Sequence, residues 1–150
     1  MDNYMEATNQ YVVFKLEEEY YGIDINFVET IERVVEITRL PNAPHYIKGV
    51  INLRGEVIPV IDLRTRFNIE DKAISEESRI IILTIEEMTI GLLVDSSSEV
   101  LTIEKEEIDN TNSLINYSED EYIKGIGKVN ERMIIILDPM KILYYHNQEG

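Results

Sequence analysis

Short runs of β-branched and other apolar residues recur along the chain, each bounded by charged or turn-forming residues. Runs of this length and composition predict buried or half-buried β-strands. The clearest predicted strands cover residues 11–16, 56–61, 79–85, 89–94 and 132–137. Helical patterns are fewer and shorter, so the pattern predicts an all-β fold, mainly β with short helices.

The first predicted helix follows residues 24–26, whose Asp and Asn are residue types that favour a helix N-terminus. It would be a short helical turn that carries Phe27, Val28 and Ile31 on one side. The second is predicted over residues 140–145, because an N-cap residue followed by proline at the first helical position is a start signal.

An internal repeat is the most informative feature of the chain. Residues 46–50 read YIKGV and residues 122–126 read YIKGI, an offset of 76 residues (122 − 46 = 76). The offset continues without a gap through the pairs Ile58 and Ile134, Val60 and Ile136, Asp62 and Asp138, and Phe67 and Leu143. A weaker similarity, at an offset of 69 (91 − 22 = 69), relates residues 14–22 to residues 83–91.

Two copies of roughly 70 residues, each with about five short strands, predict two small five-stranded β-barrels packed together in one domain. Each copy alone would bury only a marginal core, so an interface between them is expected. The predicted organisation comprises a single domain over residues 1–150, halves at 11–76 and 77–145, a linking loop at 68–78, a second loop at 104–113, and flexible tails at 1–9 and 146–150.

Composition narrows the class of partner. The 150 residues include 29 acidic and 14 basic side chains, a formal net charge of −15. Nucleic acid and anionic membrane surfaces are therefore disfavoured as ligands. The chain has no cysteine, its first ten residues do not resemble a signal peptide, and its apolar runs are too short to cross a bilayer. We expect a cytoplasmic protein without direct membrane insertion.

Candidate catalytic chemistry is sparse. His45 and His146 lack metal-ligand spacing to other residues, and nucleotide-binding and hydrolase motifs are absent. Asp62 and Asp138 form a possible carboxylate pair, but they occupy equivalent places in the repeat, where helix capping explains both. We therefore expect that the protein is not an enzyme and that it binds no metal ion and no cofactor.

The turn at residues 52–55 differs between the two copies, which makes it a candidate binding element. Asn52 and Gly55 suit a tight hairpin turn, whereas no structural requirement is evident for Leu53 and Arg54. Arg54 can either contact a partner's carboxylates or carbonyls, or be simply solvated. Residues 31–66 carry six basic and four acidic side chains, a local charge of +2. This basic zone is expected to attract an acidic partner surface.

Three segments of the chain resemble the CheW-like domain family of bacterial chemotaxis. They are residues 20–24 (YYGID), 46–55 (YIKGVINLRG) and 57–64 (VIPVIDLR), and the similarity extends from about residue 11 to residue 143. The domain also occurs in the kinase CheA and in CheV, each of which has further domains. The length of this chain favours the stand-alone CheW form.

The resemblance implies two SH3-like five-stranded β-barrels and a non-catalytic scaffold. Proteins of this kind join the cytoplasmic tip of methyl-accepting chemoreceptors to the regulatory domain of the histidine kinase CheA, at membrane-bound receptor arrays. Receptor contact in the family uses the groove between the barrels. The matching positions here are Val28, Thr30 and Ile31 on the short helix, Gly49, and Asn52, Leu53, Arg54 and Gly55 in the turn.

Kinase contacts in the family lie at the ends of the barrels. The candidates here are Ile37, Thr38, Leu40, Leu114 and Ile115, of which the apolar members lie in polar loops. An alternative function is a small-ligand-binding or hydrolytic double-barrel protein that uses the inter-barrel groove. Such a protein would need convergent polar groups, with Asp62 directed into the groove.

Overall fold

The computed structural model describes residues 9–109 and 122–144. Within them the chain forms strands and two short helices: β1 Gln10–Leu16, β2 Glu19–Asp24, β3 Val28–Arg33, β4 Ile47–Leu53, β5 Glu56–Asp62, α1 Leu63–Arg66, β6 Arg79–Ile85, β7 Met88–Val94, β8 Ser96–Thr102, β9 Ile108–Asp109, β10 Ile123–Val129, β11 Arg132–Leu137 and α2 Pro139–Tyr144. Single 3-10 turns occur at Ile25–Phe27 and Lys105–Glu107. No helix in the described ranges is long and apolar enough to cross a bilayer.

The strands form two sheets, which confirms the mainly β fold class. One sheet has the order β3-β6-β7-β5-β4, and the other has the order β8-β1-β2-β11-β10-β9. The first has the predicted five strands. The second has β9 as a sixth, two-residue strand in the region expected to be a loop. At the equivalent edge of the first sheet, a single residue, Thr38, bridges to Val50 of β4.

The chain divides into two compact units that differ from the predicted sequential halves. The central unit contains residues 15–17 and 27–97, and the terminal unit contains the described part of 1–14, 18–26 and 98–150. Parallel pairing accounts for the difference. Strand β11 pairs with β2 and β5 pairs with β7. Each unit thus combines a β-hairpin from one copy of the repeat with a β-hairpin from the other.

The repeat seen in the sequence is present in the backbone. Both β4–β5 and β10–β11 are antiparallel hairpins with a register shift at the same place, next to Gly49 and next to Gly125. The N–H of Asp62 donates to the Tyr46 carbonyl at 2.8 Å, and a bond of the same length joins Asp138 to Tyr122. Equivalent residues therefore make equivalent bonds in the two hairpins.

Each unit has its own apolar core because alternate residues of its strands point to one face. The core of the central unit includes Ile51, Ile58, Val60, Ile80, Ile82 and Leu93, all buried. The core of the terminal unit includes Val13, Ile103, Ile134 and Ile136.

The predicted helix after residues 24–26 is wrong beyond a single turn. Only Ile25–Phe27 is helical, and the chain then enters β3. Val28, Thr30 and Ile31 consequently lie on a strand that pairs with β6, not on a short helix. All three are β-branched, and pairing with β6 satisfies their backbone groups where a short isolated helix would be marginal.

Both helix-capping aspartates are confirmed. The side chain of Asp62 accepts a hydrogen bond from the backbone N–H of Arg64 at 3.1 Å, and Asp138 accepts one from Met140 at 3.1 Å. Helix α2 begins at the proline, as its start signal predicts. The two carboxylates therefore serve local structure in their own units.

Candidate functional site

The β4–β5 turn holds the candidate arginine on a rigid hairpin. Asn52 Oδ1 accepts a hydrogen bond from the Gly55 N–H at 2.9 Å. Arg54 and Gly55 have φ values of 51° and 88°, the left-handed conformation that a tight two-residue hairpin turn requires. Leu53 packs against the core of the central unit, which is a structural requirement that the sequence did not reveal.

Arg54 projects into solvent beside one acidic neighbour. Its side chain is 69% exposed, and its Nη2 lies 3.4 Å from Oε2 of Glu32 on β3. An exposed pair of this length contributes little to stability. The guanidinium thus remains accessible to a partner.

A small cleft of about 90 Å³ opens beside the turn. We call it the Arg54 cleft, and it is lined by Glu29, Thr30, Leu53, Arg54, Glu56, Ile58 and Ile82. Three of the predicted receptor-contact residues, Thr30, Leu53 and Arg54, therefore meet in one place. Strand β3 pairs with β6 so that Thr30 lies opposite the core residue Ile82, and this pairing brings Thr30 to the cleft.

The other predicted receptor-contact residues lie elsewhere in the central unit. Ile31 pairs with Ile81 and points to the opposite face of the sheet from Thr30, where it is 42% exposed. Gly49 lies beside Ile37 and Thr38, since a Cβ at this position would come within 2.2 Å of the Thr38 carbonyl oxygen. The close approach of two backbones explains this glycine.

Two of the predicted kinase-contact residues are held against the sheet by hydrogen bonds or by packing. Thr38 exchanges two backbone hydrogen bonds of 2.8 Å with Val50, and Ile37 packs against the core of the central unit. Leu40 is 44% exposed. Leu114 and Ile115 lie outside the described residues.

The predicted basic zone over residues 31–66 does not form as an exposed surface, because two of its arginines are buried. Arg64, which is 5% exposed, forms a bidentate pair with Asp95 through contacts of 2.8 and 2.7 Å. It also contacts Glu17 and the carbonyl of Glu70. Arg66 is buried with its guanidinium 5.7 Å from the centre of the Tyr46 ring.

The electrostatics of this network are those of a buried structural site. Burial alone would raise the pKa of Asp95, but hydrogen bonds from Arg64 and from the Glu17 N–H, together with the charge of Arg64, lower it overall. The hydrogen bond to Asp95 is the main reason that the pKa of Arg64 is raised. The pair therefore stays ionised and holds α1 against the end of β7.

Glu29 and Glu56 are cleft residues that sequence reasoning did not select. Glu29 lies at a register shift between Val28 and Thr30, and such a bulge redirects a side chain in a way that strand alternation does not predict. Glu56 follows the turn directly. Its position next to Gly55 is the one sequence signal that could have suggested it.

The small-ligand alternative gains no support from two pockets of the central unit. The Arg54 cleft has a volume of about 90 Å³ and a second pocket, beside Asp62 and Asp95, about 20 Å³. Both are far below the roughly 300 Å³ or more of typical ligand sites. Among the described residues, no group of three acidic or histidine side chains is placed to hold a metal ion.

Comparisons with known proteins agree with the similarity seen in the sequence. The family model "CheW-like domain" matches residues 10–146. The Chemotaxis protein CheW of Klebsiella aerogenes is 37% identical over 89% of this chain and 81% of its own, and that of Bacillus subtilis is 37% identical over 88% and 85%. The crystal structure of the scaffolding protein TtCheW from Thermoanaerobacter tengcongensis is similar with a TM-score of 0.79 and 41% identity, over 87% of this chain and 84% of that one.

These proteins carry the names of a chemotaxis protein and of a scaffold, and none is named as an enzyme. The match covers both units, and the identity is well above the level at which only the fold is shared. The chain therefore belongs to the CheW-like domain family.

Proposed function

We propose that this protein is a non-catalytic chemotaxis adaptor that couples methyl-accepting chemoreceptors to the histidine kinase CheA. Relatives named Chemotaxis protein CheW and the similar scaffolding protein TtCheW support the adaptor role. The observation that carries the receptor arm of the proposal is the convergence of Thr30, Leu53 and the exposed Arg54 on one cleft.

The Arg54 cleft would form one part of the surface that contacts a helical hairpin. Leu53, which is half-buried, supplies apolar surface there, Ile58 and Ile82 lie buried beneath it, and Arg54 supplies planar donors at the rim. In helix-in-groove recognition, apolar anchors provide affinity and a charged residue sets orientation. The proposed receptor-contact set also includes Val28, Ile31, Gly49, Asn52 and Gly55. Gly49 would act indirectly, because it determines how closely its neighbours approach.

The kinase arm is proposed on a different part of the central unit. Ile37, Thr38 and Leu40 form a segment that is fastened to β4 by the bridge between Thr38 and Val50. The exposed Leu40 is an apolar residue that a regulatory domain of CheA would cover. Leu114 and Ile115, which lie outside the described residues, remain kinase-contact candidates from the sequence. The protein would then act on the cytoplasmic side of membrane-bound receptor arrays.

The test is titration calorimetry of the whole chain against a receptor hairpin fragment and, separately, against the regulatory domain of CheA from the same organism. We expect wild-type protein to bind both. Arg54→Ala should weaken receptor binding about tenfold and leave kinase binding unchanged, because truncating one charged contact of an interface costs on the order of 1 to 2 kcal/mol.

Lys105→Ala is the matched control, since it removes one exposed positive charge from the terminal unit. It should leave both affinities within about twofold of wild type. If folded wild-type protein bound neither partner, the adaptor function would be wrong. If Arg54→Ala bound the receptor fragment normally, the role of Arg54 would be wrong.

A further inference from the structure

Two arginines lie side by side at the edge of the central sheet. Arg33, the last residue of the edge strand β3, pairs directly with Arg79, the first residue of β6. Like charges directly opposite each other on paired strands destabilise a sheet. The chain has 29 acidic and only 14 basic side chains, so a carboxylate would be the more common neighbour of either arginine. We call these two residues the arginine pair.

No carboxylate in the described part of the chain lies within ion-pair distance of the arginine pair. The side chain of Arg79 donates hydrogen bonds to the carbonyl oxygens of Glu76 and Ser78, at 2.9 and 2.8 Å. These neutral acceptors fix the position of the guanidinium and leave its charge uncompensated. Arg33 is exposed, and its side chain makes no ion pair or hydrogen bond to any described residue.

Exposed apolar side chains follow Arg33 along the chain. Val35 is 41% exposed and Leu40 is 44% exposed. Val34 and Ile37 pack against the core of the central unit, which holds the segment in place and leaves Val35 and Leu40 at the surface. Apolar side chains at the surface beside charged ones are typical of interaction sites, and arginine is enriched in interfaces. The arginine pair therefore adjoins the segment proposed above to contact the kinase.

We propose that the arginine pair binds an acidic segment on the regulatory domain of CheA, beside apolar contacts made by Val35 and Leu40. A planar guanidinium binds a carboxylate through two parallel N–H donors, so each arginine can bind one Asp or Glu of the partner. Binding would relieve the repulsion that the free protein retains. This inference rests on the proposed adaptor function, because it names the chemistry that the kinase must present at this surface.

Charge and position together select this occupant. A nucleic acid would also supply anions to the arginine pair, but the net charge of −15 on the chain opposes it. A second copy of the chain would bring carboxylates together with the same large negative charge, which repels. The receptor contacts proposed above gather around Arg54, whereas the arginine pair lies next to Val35 on the kinase side.

The test measures binding of the CheA regulatory domain to an Arg33→Glu variant of the whole chain. A glutamate at this position would face Arg79 across the strands, and an opposite-charge pair stabilises a sheet. The urea midpoint should therefore rise by roughly 0.2 to 0.5 M. The affinity for the regulatory domain should nevertheless fall about tenfold, with a smaller loss at about 0.5 M salt. A purely structural role of Arg33 would not combine a gain in stability with a loss of binding.

Arg33→Gln is a second variant, which removes the charge without reversing it. It should weaken binding of the regulatory domain about threefold and leave the urea midpoint equal to that of wild type or higher. Lys105→Glu and Lys105→Gln are the matched controls, since they change the net charge equally on an exposed 3-10 turn of the terminal unit. Both controls should bind the regulatory domain within about twofold of wild type. All four variants should bind the receptor hairpin fragment as wild type does.

The outcomes separate this inference from the adaptor function. If wild-type protein binds the regulatory domain and Arg33→Glu binds it equally well, the acidic contact is wrong and the adaptor function stands. If Lys105→Glu loses as much affinity, net charge explains the loss and the acidic contact is again wrong. If wild-type protein does not bind the regulatory domain, this inference and the kinase arm of the proposed function are both wrong.

Three further results would overturn the assignment of the arginine pair. A fall in the urea midpoint of Arg33→Glu would show that the two arginines do not repel each other in the free protein. A loss of receptor binding in place of kinase binding would assign the pair to the receptor arm. Sedimentation of the free protein as a dimer that Arg33→Glu abolishes would identify a second copy of the chain as the occupant.

Discussion

Arg64 shows how one side chain can have a role opposite to the one its charge suggests. In the sequence it belongs to a run of basic residues that resembles a binding surface. In the structure its guanidinium is buried and contacts Asp95, Glu17 and the Glu70 carbonyl. A buried guanidinium with these partners stabilises the fold of the central unit and is not available to a partner protein.

Replacing Asp95 by asparagine should reveal this network in the stability of the protein. We expect Asp95→Asn to lower the free energy of unfolding by about 3 kcal/mol at pH 7, because it leaves a buried arginine without its main counter-charge. Urea titration monitored by circular dichroism would measure the loss. Asp71→Asn, on the exposed loop after α1, should change the same quantity by less than about 0.5 kcal/mol.

The same variant tests the pH dependence. The pKa of Asp95 is lowered in the folded state, so its contribution is present above the unfolded-state pKa of about 3.9. The contribution is lost as the pH falls through the lower folded-state value. The difference between wild type and Asp95→Asn should therefore shrink below about pH 4. A difference that stayed constant from pH 7 to pH 3 would contradict the assignment.

At the scale of the elements, the β6–β7 hairpin turn contains residue types that its backbone conformation disfavours. The β6–β7 turn places Glu86 and Glu87 at φ values of 48° and 73°. This left-handed conformation favours Asn and Gly, and it is costly for a long side chain with a Cβ. The β4–β5 turn, with Gly55 at its second position, is better adapted to the same geometry.

Optimising the β6–β7 turn should stabilise the protein. We expect Glu86→Asn combined with Glu87→Gly to raise the free energy of unfolding by about 1 kcal/mol, because the left-handed residues are no longer strained. The midpoint of thermal unfolding would measure the gain. Glu76→Asn with Glu77→Gly makes the same exchange on the loop before β6, where φ is negative, and should bring no gain.

Gly49 offers a second test at this scale. A Cβ at this position would meet the Thr38 carbonyl oxygen at 2.2 Å and Cγ2 of Ile37 at 2.8 Å. Gly49→Ala should therefore lower the free energy of unfolding by about 2 to 3 kcal/mol and loosen the bridge between Thr38 and Val50. Hydrogen exchange of the Thr38 and Val50 amides would report the loosening directly.

Gly55→Ala is the control for Gly49, since a Cβ there meets no atom within 4 Å and only the φ of 88° opposes it. Its cost should be about 1 kcal/mol, with normal protection of the two bridge amides. Equal effects of the two substitutions would show that close backbone approach is not the reason for Gly49.

At the scale of the whole molecule, the net charge affects the stability of the folded state through repulsion among many side chains. The formal charge of −15 on 150 residues makes self-repulsion in the folded state considerable at low ionic strength. Salt screens this repulsion over a Debye length of about 10 Å at 0.1 M. The ion pair between Arg64 and Asp95 is buried and is screened much less.

Raising sodium chloride from 20 mM to 0.5 M should therefore stabilise the protein by about 1 kcal/mol. The urea midpoint at pH 7 would measure the change. The Glu86 and Glu87 double variant, which removes two negative charges, should show a smaller increase. A fall in stability with added salt would mean that exposed ion pairs outweigh the repulsion.

Much of this protein is determined by its sequence alone. Five strands, the helix at α2 and both aspartate caps follow from local residue patterns, because strand alternation and helix capping depend on neighbours along the chain. The repeat of residues 46–50 at 122–126 predicted equivalent hairpins, and the structure has them with the same register shift. The family resemblance followed from ordered motifs in the same way.

Tertiary structure decided the features that depend on residues far apart in sequence. Parallel pairing of β2 with β11 and of β5 with β7 joins hairpins from different copies of the repeat, a choice that local patterns do not encode. Pairing with β6 turned the predicted helix at Val28 into a strand. The burial of Arg64 and the position of Glu29 and Glu56 at one cleft have the same origin. Burial and convergence are set by non-local partners, whereas a periodic pattern reports only on its own segment.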